Sequence, residues 1–255
     1  MATTARVTTG VKLGKLPVRT DVRTLQLARY VDRAALPAPP EIYDATAHVP
    51  EWPMYANDVR GDCTCAAAGH MIEAWTAAGR GRATEIPVTA VVNAFERLKV
   101  VDPQTGEEGA VELDVLNYWR HTGIARHKIA AFAKVPVYDH ELVRTAAYLF
   151  GGLYIGLALP VTAKRQVTWR WTRSMTGRAA PGSWGGHAVN IVRYSPASLT
   201  CVTWGKLQDL TWPFWDHYCE EVYCIVSRDF LNGKHKAPNG LDVEALTADL
   251  KLVAG

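Results

Sequence analysis

The sequence predicts an α+β fold, in which helices come first along the chain and strands come later. Apolar residues recur at helical spacing in the front half, as at Met71, Ile72 and Trp75. From residue 131 the period changes, and short apolar runs such as residues 153–159 stand between turn residues. Because helices and strands do not alternate regularly, the pattern favours an α+β arrangement over a parallel α/β sheet.

Glycines and a polar cap mark the ends of the predicted elements. The helical pattern that starts at Cys63 meets the glycines of the 79–81 loop, where a helix commonly ends. Asp139 is a predicted N-cap. The predicted helices are residues 18–31, 63–78, 89–100, 113–121, 139–150, 211–218 and 243–253, and the predicted strands are residues 132–138, 153–159, 187–194, 199–204 and 221–227.

The length of 255 residues fits one large domain with extensions. Residues 1–40 are expected to form an N-terminal arm, because the proline-rich stretch 36–40 breaks any helix before it. Residues 41–228 carry most of the predicted elements and form the main domain. Residues 229–255 are expected to form a C-terminal helical extension.

The composition is that of an ordinary globular protein. Hydrophobic residues make up 48%, charged residues 21%, and the net charge is +3, which points to neither nucleic acid nor membrane as a partner. No apolar run is long enough to span a bilayer, so we expect a cytoplasmic protein. The five cysteines show neither a disulfide framework nor zinc-ligand spacing, which predicts reduced thiols, no metal and no cofactor.

Cys63 is the first candidate for chemistry. It follows Gly61-Asp62 and precedes a run of alanines, so it lies at a predicted helix N-terminus, where the backbone N–H groups favour a thiolate. A thiolate is a nucleophile. Six residues upstream, Asn57 carries an amide that would donate to a developing oxyanion. The alternative is that Cys63 only packs as a small apolar residue.

His187 is the candidate partner of the thiol. It opens an apolar strand directly after two glycines, which let another backbone or a substrate approach closely. An imidazole within hydrogen-bond reach of a thiol can take its proton and later protonate the leaving group. The alternative is a structural histidine within a strand.

The order of these motifs resembles the papain-like cysteine peptidase superfamily. A cysteine at a helix start, a strand that begins His-Ala-Val and a strand that ends in Trp-Gly follow one another over about residues 40–228. The family's nucleophile falls on Cys63 and its catalytic histidine on His187. Its oxyanion amide falls on Asn57, its glycine loop on Gly109, and the tryptophan that shields the histidine on Trp204.

The resemblance implies a helical subdomain packed against an antiparallel β subdomain, with the active-site cleft between them. It also implies a peptidase or amidase that acts on peptide or amide substrates through an acyl-enzyme. This sequence departs from the family at several positions, since Asn57 replaces a glutamine and Arg60 a disulfide cysteine. The family's residue that orients the histidine falls on Thr203, sixteen residues after His187, or on Val202; only the threonine hydroxyl can accept the imidazole N–H.

Residues 164–184 carry five positive charges, three tryptophans and no acidic residue. We predict a flap over the cleft that favours acidic or glycan-bearing substrates through Arg170, Arg173 and Trp184. The alternative is a solvated loop with its tryptophans packed beneath it. Alternating arginine and tryptophan also suits single-stranded nucleic acid, but no motif of a nucleic-acid-binding fold accompanies it.

Two other functions share the same residues. An acyl-enzyme that passes its acyl group to an amine instead of water would make the protein an acyltransferase. A chain that kept the fold but lost the orienting residue would be a non-catalytic binding or assembly module, for example a component of a larger particle.

Overall fold

The computed structural model describes residues 10–32, 36–232 and 236–239. The predicted helix 243–253 lies outside these residues. Five α-helices are described, which are α1 (Cys63–Arg80), α2 (Val88–Leu98), α3 (Glu112–His121), α4 (His140–Phe150) and α5 (Trp212–Tyr218). The strands are β1 (Leu25–Gln26), β2 (Tyr43–Asp44), β3 (Val100–Val101), β4 (Glu108–Gly109), β5 (Ile129–Lys134), β6 (Leu153–Leu159), β7 (Thr168–Trp169), β8 (Gly185–Tyr194), β9 (Ser198–Thr203), β10 (Lys206–Thr211) and β11 (Cys219–Ser227).

Within the described residues, strands from the back half of the chain form one large sheet, and β1 and β2 from the front half bring it to nine strands. Its order is β1-β5-β11-β6-β8-β9-β10-β7, and β2 pairs with the end of β8 on the edge opposite β9. Neighbouring strands from β5 to β10 are antiparallel, whereas the short edge strands β1 and β7 pair in parallel. β3 and β4 form a separate two-stranded ribbon before α3. α1, α2 and α3 thus precede the main sheet strands along the chain, as the α+β prediction states, whereas α4 and α5 lie between those strands.

The central helix α1 joins the two halves. Every residue from Cys63 to Ala77 is buried, and the helix packs against β8 on one side and against α2 and α3 on the other. The indole of Trp75 stacks on Trp119 with 5.5 Å between ring centroids and donates from Nε1 to Phe150 O at 2.8 Å. α1 ends at Gly81, whose φ of 75° is the left-handed conformation that glycine adopts without strain.

The predicted helix over residues 18–31 is wrong. The chain there forms β1 and a single 3₁₀ turn, Leu27–Arg29. Leu25 and Gln26 pair with Ala133 and Lys134. The backbone groups of this segment therefore form hydrogen bonds with the edge of β5 instead of with each other in a helix. Tertiary pairing therefore overrides the local helical pattern.

The sequence does not predict strand β10, because the turn before it contains a tryptophan, which is not a typical turn residue. β9 and β10 form a hairpin whose two turn residues are Trp204 and Gly205, with φ of 48° and 70°. A tight hairpin of this kind needs positive φ at both turn positions, and tryptophan is an unusual residue there. The strained turn holds the Trp204 indole beside the start of β8.

None of the helices in the described parts of the chain is long and apolar enough to cross a membrane.

Candidate active site

Cys63 lies at the boundary between the helical half and the sheet. It is the first residue of α1, and the carbonyl of Asp62 before it accepts from Cys65 N and Ala66 N at 2.9 Å, which sets the first helical turn. Cys63 Sγ accepts a hydrogen bond from the backbone N–H of Ala188 in β8 at 3.4 Å. The thiol and the residue next to His187 therefore meet, although they lie far apart in the sequence.

His187 is held by residues from the β9–β10 hairpin. Its Nε2 lies 2.6 Å from Thr203 Oγ1. The Trp204 indole stacks on the imidazole with 4.5 Å between ring centroids and 19° between the planes. Within the described residues, His187 Nδ1 has no hydrogen-bond partner and no hydrogen bond joins His187 to Cys63. One ring nitrogen is thus fixed by Thr203, and the other is unengaged.

Burial keeps both groups uncharged in this structure. Burial raises the pKa of the Cys63 thiol to about 12, more than the N–H groups of Ala188 and Gly14 lower it, and the carboxyl of Asp62 raises it further. Burial lowers the pKa of His187 to about 3. The sequence predicts a thiolate at the helix N-terminus; the structure differs because desolvation exceeds the effect of the helix.

Asn57 lies close to the nucleophile but is engaged elsewhere. Its Nδ2 donates to Arg60 O at 3.1 Å, and its amide also lowers the pKa of the neighbouring Asp62 carboxyl. Burial raises the pKa of Asp62 to about 7 despite these contacts. In this structure the Asn57 amide therefore stabilises the loop before α1, which differs from the oxyanion role expected from sequence.

The chain's own N-terminal arm runs through the cleft. We call Val11–Leu16 the cleft segment. Gly14 N and Lys15 N donate to Gly186 O at 3.2 and 3.1 Å on one wall. On the other wall, Ala110 N donates to Gly14 O at 2.8 Å and Leu16 N donates to Ala110 O at 3.0 Å, so the segment pairs in parallel with Ala110. The backbone N–H of Gly14 in this segment contacts the thiol of Cys63, which is only 1% exposed.

Glycines on both walls let the cleft segment approach so closely. A Cβ on Gly14 would lie 1.9 Å from Gly61 O, and a Cβ on Gly186 would lie 2.1 Å from Lys15 O. A Cβ on Gly109, the predicted substrate-binding glycine, would lie 2.5 Å from Gly14 O. Each contact is backbone against backbone, so no side chain can move to relieve it. The cleft is therefore shaped to hold an extended peptide.

Tryptophans form one end of the cleft. Trp204 Nε1 donates to Lys12 O at 3.1 Å, and the ring of Trp204 lies 5.5 Å from that of Trp184. Lys164 Nζ lies 5.1 Å from the centroid of Trp184. Trp184 and Lys164 also line the open groove of about 1150 Å³ that continues beside the cleft segment. Trp184 and Trp204 thus lie where the sequence analysis expected substrate contacts.

The rest of the predicted flap lies elsewhere. Arg170 and Arg173 are not among the residues that line the groove, and the polypeptide around them belongs to edge strand β7 and the turn after it. Trp169 is buried against Phe214, and Trp171 stacks on His217. The packed-tryptophan alternative therefore describes these residues, and the expected substrate role of Arg170 and Arg173 has no support from their positions.

A buried cluster of charges was missed by the sequence analysis. Lys15 of the cleft segment extends its side chain between Glu220 and Glu221 of β11, with Glu112 of α3 nearby. These residues come from three distant parts of the chain, and no motif connects them. The only sequence signal is a pair of adjacent glutamates within a strand that is otherwise largely apolar.

Solved structures with the same architecture are cysteine proteases. Xylellain, a cysteine protease from Xylella fastidiosa, superposes with a TM-score of 0.64 at 13% sequence identity, over 84% of this chain and 96% of its own. The chain has a papain-like fold. proCathepsin B S9 from Trypanosoma congolense matches with a TM-score of 0.58 at 11% identity, over 83% of this chain and 85% of its own. The Carica candamarcensis cysteine protease CMS1MS2 matches with a TM-score of 0.51 at 14% identity, over 73% of this chain and 98% of its own.

The papain-like similarity is one of structure and not of sequence. Neither a protein-family model nor a curated protein sequence matches the chain. Identities of 11–14% show the shared fold alone, so the chemistry of this papain-like protein has to be argued from its own residues.

Proposed function

We propose that this papain-like protein is a cysteine peptidase or amidase in which Cys63 is the nucleophile and His187 its base. The observation that carries this proposal is the extended cleft segment, which is hydrogen-bonded to both walls directly above Cys63. A site that binds peptide backbone over a thiol and beside an imidazole has the parts that thiol peptidases need.

The first half of the reaction forms the acyl-enzyme. His187 takes the thiol proton, and the thiolate sulfur attacks the substrate carbonyl carbon. Thr203 Oγ1 accepts a hydrogen bond from the Nε2–H of His187, which leaves Nδ1 as the basic nitrogen and stabilises the imidazolium. The backbone N–H of Cys63, at the start of α1, donates to the oxyanion, and the Asn57 amide joins it if it leaves Arg60 O. The carbon–nitrogen bond then breaks as the imidazolium protonates the leaving amine.

The second half releases the acyl group. His187 takes a proton from water, the resulting hydroxide attacks the thioester, and the sulfur leaves as a thiolate. If an amine takes the place of water, the same residues catalyse acyl transfer. Departure of the cleft segment precedes either outcome, because the segment and a substrate would occupy the same space.

A non-catalytic binding or assembly module is the second candidate. The observation that favours it is the neutral state of the site, with a buried thiol, a buried imidazole and the Asn57 amide bonded to Arg60 O. Under this proposal the cleft binds peptide segments without cleaving them, and the chain serves as a component of a larger assembly.

The structure offers a way to open the cleft while keeping the full chain. A Cβ on Gly14 meets the backbone of Gly61 at 1.9 Å, whereas a Cβ on Gly10 meets Asp58 O at 3.3 Å. Gly14→Ala therefore displaces the cleft segment, and Gly10→Ala is a matched control in the same arm. Both variants are treated with a peptidyl epoxide and analysed by peptide mass spectrometry, and cleavage of unfolded casein is followed in parallel.

We expect the Gly14→Ala protein to carry the epoxide on Cys63 and to cleave casein, and the Gly10→Ala protein to do neither at a comparable rate. Cys65 is buried in α1 and serves as an internal reference thiol in both. A Gly14→Ala protein whose cleft binds peptides but whose Cys63 reacts no faster than Cys65 would support the binding module instead.

A further inference from the structure

The side chain of Lys15 enters a pocket at the side of the cleft. Its Nζ donates to Glu220 Oε2 at 2.9 Å and lies 3.2 Å from Glu221 Oε1. The side chains of Lys15 and Glu221 are each 1% exposed, and that of Glu220 is 41% exposed. The pocket is therefore deep at Glu221 and opens to solvent at Glu220.

The walls of this pocket fit an unbranched side chain. Gly156 in β6 forms the floor, where a Cβ would lie 2.1 Å from Lys15 Cε and 2.9 Å from Glu112 Oε2. Tyr223 donates from its hydroxyl to Glu221 Oε2 at 2.8 Å, which fixes that carboxylate. The pocket thus has space for a methylene chain, with acceptors at its far end.

The pocket requires a cation. Glu112 is fully buried, and among the described residues neither of its oxygens accepts a hydrogen bond. Burial and the neighbouring Glu221 raise the pKa of Glu112 well above its ordinary value. Burial lowers the pKa of Lys15, but the charges of Glu112 and Glu221 and the bond to Glu220 raise it more, so the ammonium remains protonated. Removal of that ammonium would leave the buried Glu221 carboxylate without a counter-ion.

We propose that Glu112, Glu220 and Glu221 form a recognition pocket for the basic side chain of a peptide substrate, which Lys15 occupies in this structure. The inference rests on the proposed function and names its substrate class, peptides that contain lysine. A substrate backbone in the same glycine-lined cleft places one of its side chains at this pocket, because the residue next to Lys15 lies over Cys63. The exposed Lys12 of the same segment has no such pocket and provides the comparison.

The first test measures binding to the Gly14→Ala full-length protein. The probe is a fluorescein-labelled peptide, Val-Lys-Leu-Gly-Lys-Leu, which copies the cleft segment. Norleucine, which lacks the ammonium, replaces either the second lysine or the first. We expect replacement of the second lysine, which corresponds to Lys15, to weaken binding about tenfold or more, because a buried charge-assisted contact is lost. We expect replacement of the first lysine, which corresponds to the exposed Lys12, to weaken binding about twofold or less. Equal effects of the two replacements would overturn the proposal.

The second test assigns the preference to the glutamates. Glu220→Gln lies at the open end of the pocket and Glu221→Gln at its closed end, and both replacements keep the side-chain shape. In the Gly14→Ala background we expect each to reduce the ratio of lysine to norleucine binding, and Glu221→Gln to reduce it more. Because Glu220 is half-exposed, its variant keeps the fold even if Glu221→Gln does not. An unchanged ratio in a folded Glu220→Gln protein would contradict the proposal.

The third test separates the pocket from the chemistry. Casein fragments from the Gly14→Ala protein are sequenced by mass spectrometry, and we expect a lysine at one fixed distance from the cleaved bonds. Cleavage without such a lysine would overturn the pocket and leave the proposed peptidase intact. Lysine-selective binding without any modification or cleavage would leave a peptide-binding pocket and overturn both the peptidase and the substrate role of the pocket.

Discussion

The cleft contains two buried polar regions, of which one is uncharged and the other contains charged groups. Cys63 and His187 are uncharged, because burial raises the pKa of the thiol and lowers that of the imidazole, and no hydrogen bond joins them in the described structure. The side chains of Lys15 and Glu221 are equally buried, yet the ammonium remains charged because carboxylates surround it. Burial therefore suppresses ionisation of the thiol and the imidazole, whereas nearby carboxylates offset its effect on the Lys15 ammonium.

The cleft segment therefore has two roles. Its backbone excludes water from Cys63 and His187, and its lysine side chain satisfies the glutamates. The first contact keeps the proposed chemistry inactive, and the second keeps the segment in place.

Replacement of the nucleophile should have the largest effect. In the Gly14→Ala background, we expect Cys63→Ser to reduce casein cleavage at least about 10³-fold, since an alcohol is a far weaker nucleophile than a thiolate. Cys65→Ser is the control, because Cys65 is buried in α1 and makes no contact that the proposed mechanism uses. Equal losses in the two variants would indicate a structural role for both cysteines.

Loss of the Lys15 ammonium should destabilise the protein. We expect Lys15→Met to lower the free energy of unfolding by about 2 kcal/mol at pH 7, less than for a sealed ion pair because the cleft segment can leave. Lys12→Met, at an exposed position, should change it by less than about 0.5 kcal/mol. Urea unfolding followed by tryptophan fluorescence measures both variants.

The pH dependence of this loss has a definite sign. The pKa of Lys15 is raised in the folded protein, so its contribution to stability is complete below the ordinary value of 10.5 and is lost as the pH rises above it. The pKa of Glu112 is also raised, so its burial is tolerated at low pH and becomes unfavourable once it ionises. The deficit of Lys15→Met should therefore be larger at pH 8 than at pH 5. A deficit that grows on acidification would contradict the ion-pair assignment.

The orienting contact should have an intermediate effect. In the Gly14→Ala background, we expect Thr203→Val to lower kcat about tenfold by removing the acceptor for His187 Nε2, with little change in KM. Thr203→Ser retains a hydroxyl and should recover most of the rate. If serine and valine variants are equally slow, packing at Thr203 matters and the hydrogen bond does not.

The carboxyl of Asp62 should have the smallest effect. Its charge raises the pKa of Cys63, and burial raises its own pKa to about 7. As the pH rises through 7, Asp62 ionises and makes the thiolate less favourable. In the Gly14→Ala background, we expect Asp62→Asn to speed alkylation of Cys63 about threefold above pH 7. Below pH 6 the two proteins should react alike, and a difference that persists there would point to a change in structure.

The sequence predicts much of the site because its parts are local. The glycine and aspartate before Cys63 indicate a helix start, and the paired glycines before His187 indicate a strand that tolerates close approach. Each of these signals depends on a few neighbouring residues. The spacing from His187 to Thr203 follows from the short β8–β9 hairpin, so the threonine was also within reach of sequence reasoning.

The cleft segment and its pocket could not be predicted in this way. The path of an arm is set by backbone contacts with Gly61, Ala110 and Gly186, and hydrogen bonds of the main chain leave no residue pattern. The pairing of Lys15 with Glu220 depends on how distant elements pack. The charge states of Cys63 and His187 were missed for the same reason, since they depend on what covers them.

The pH dependence of Cys63 alkylation tests most directly whether the cleft segment keeps the thiol neutral. Iodoacetamide labelling of Cys63 is measured in the Gly14→Ala and Gly10→Ala proteins from pH 5 to pH 10. We expect the Gly14→Ala protein to show a thiolate with an apparent pKa below that of a free thiol, about 8.5, because His187 and the start of α1 then act on an uncovered sulfur. The Gly10→Ala protein should react only at the highest pH. Identical profiles, with no reaction below pH 9 in either protein, would contradict the proposed nucleophile.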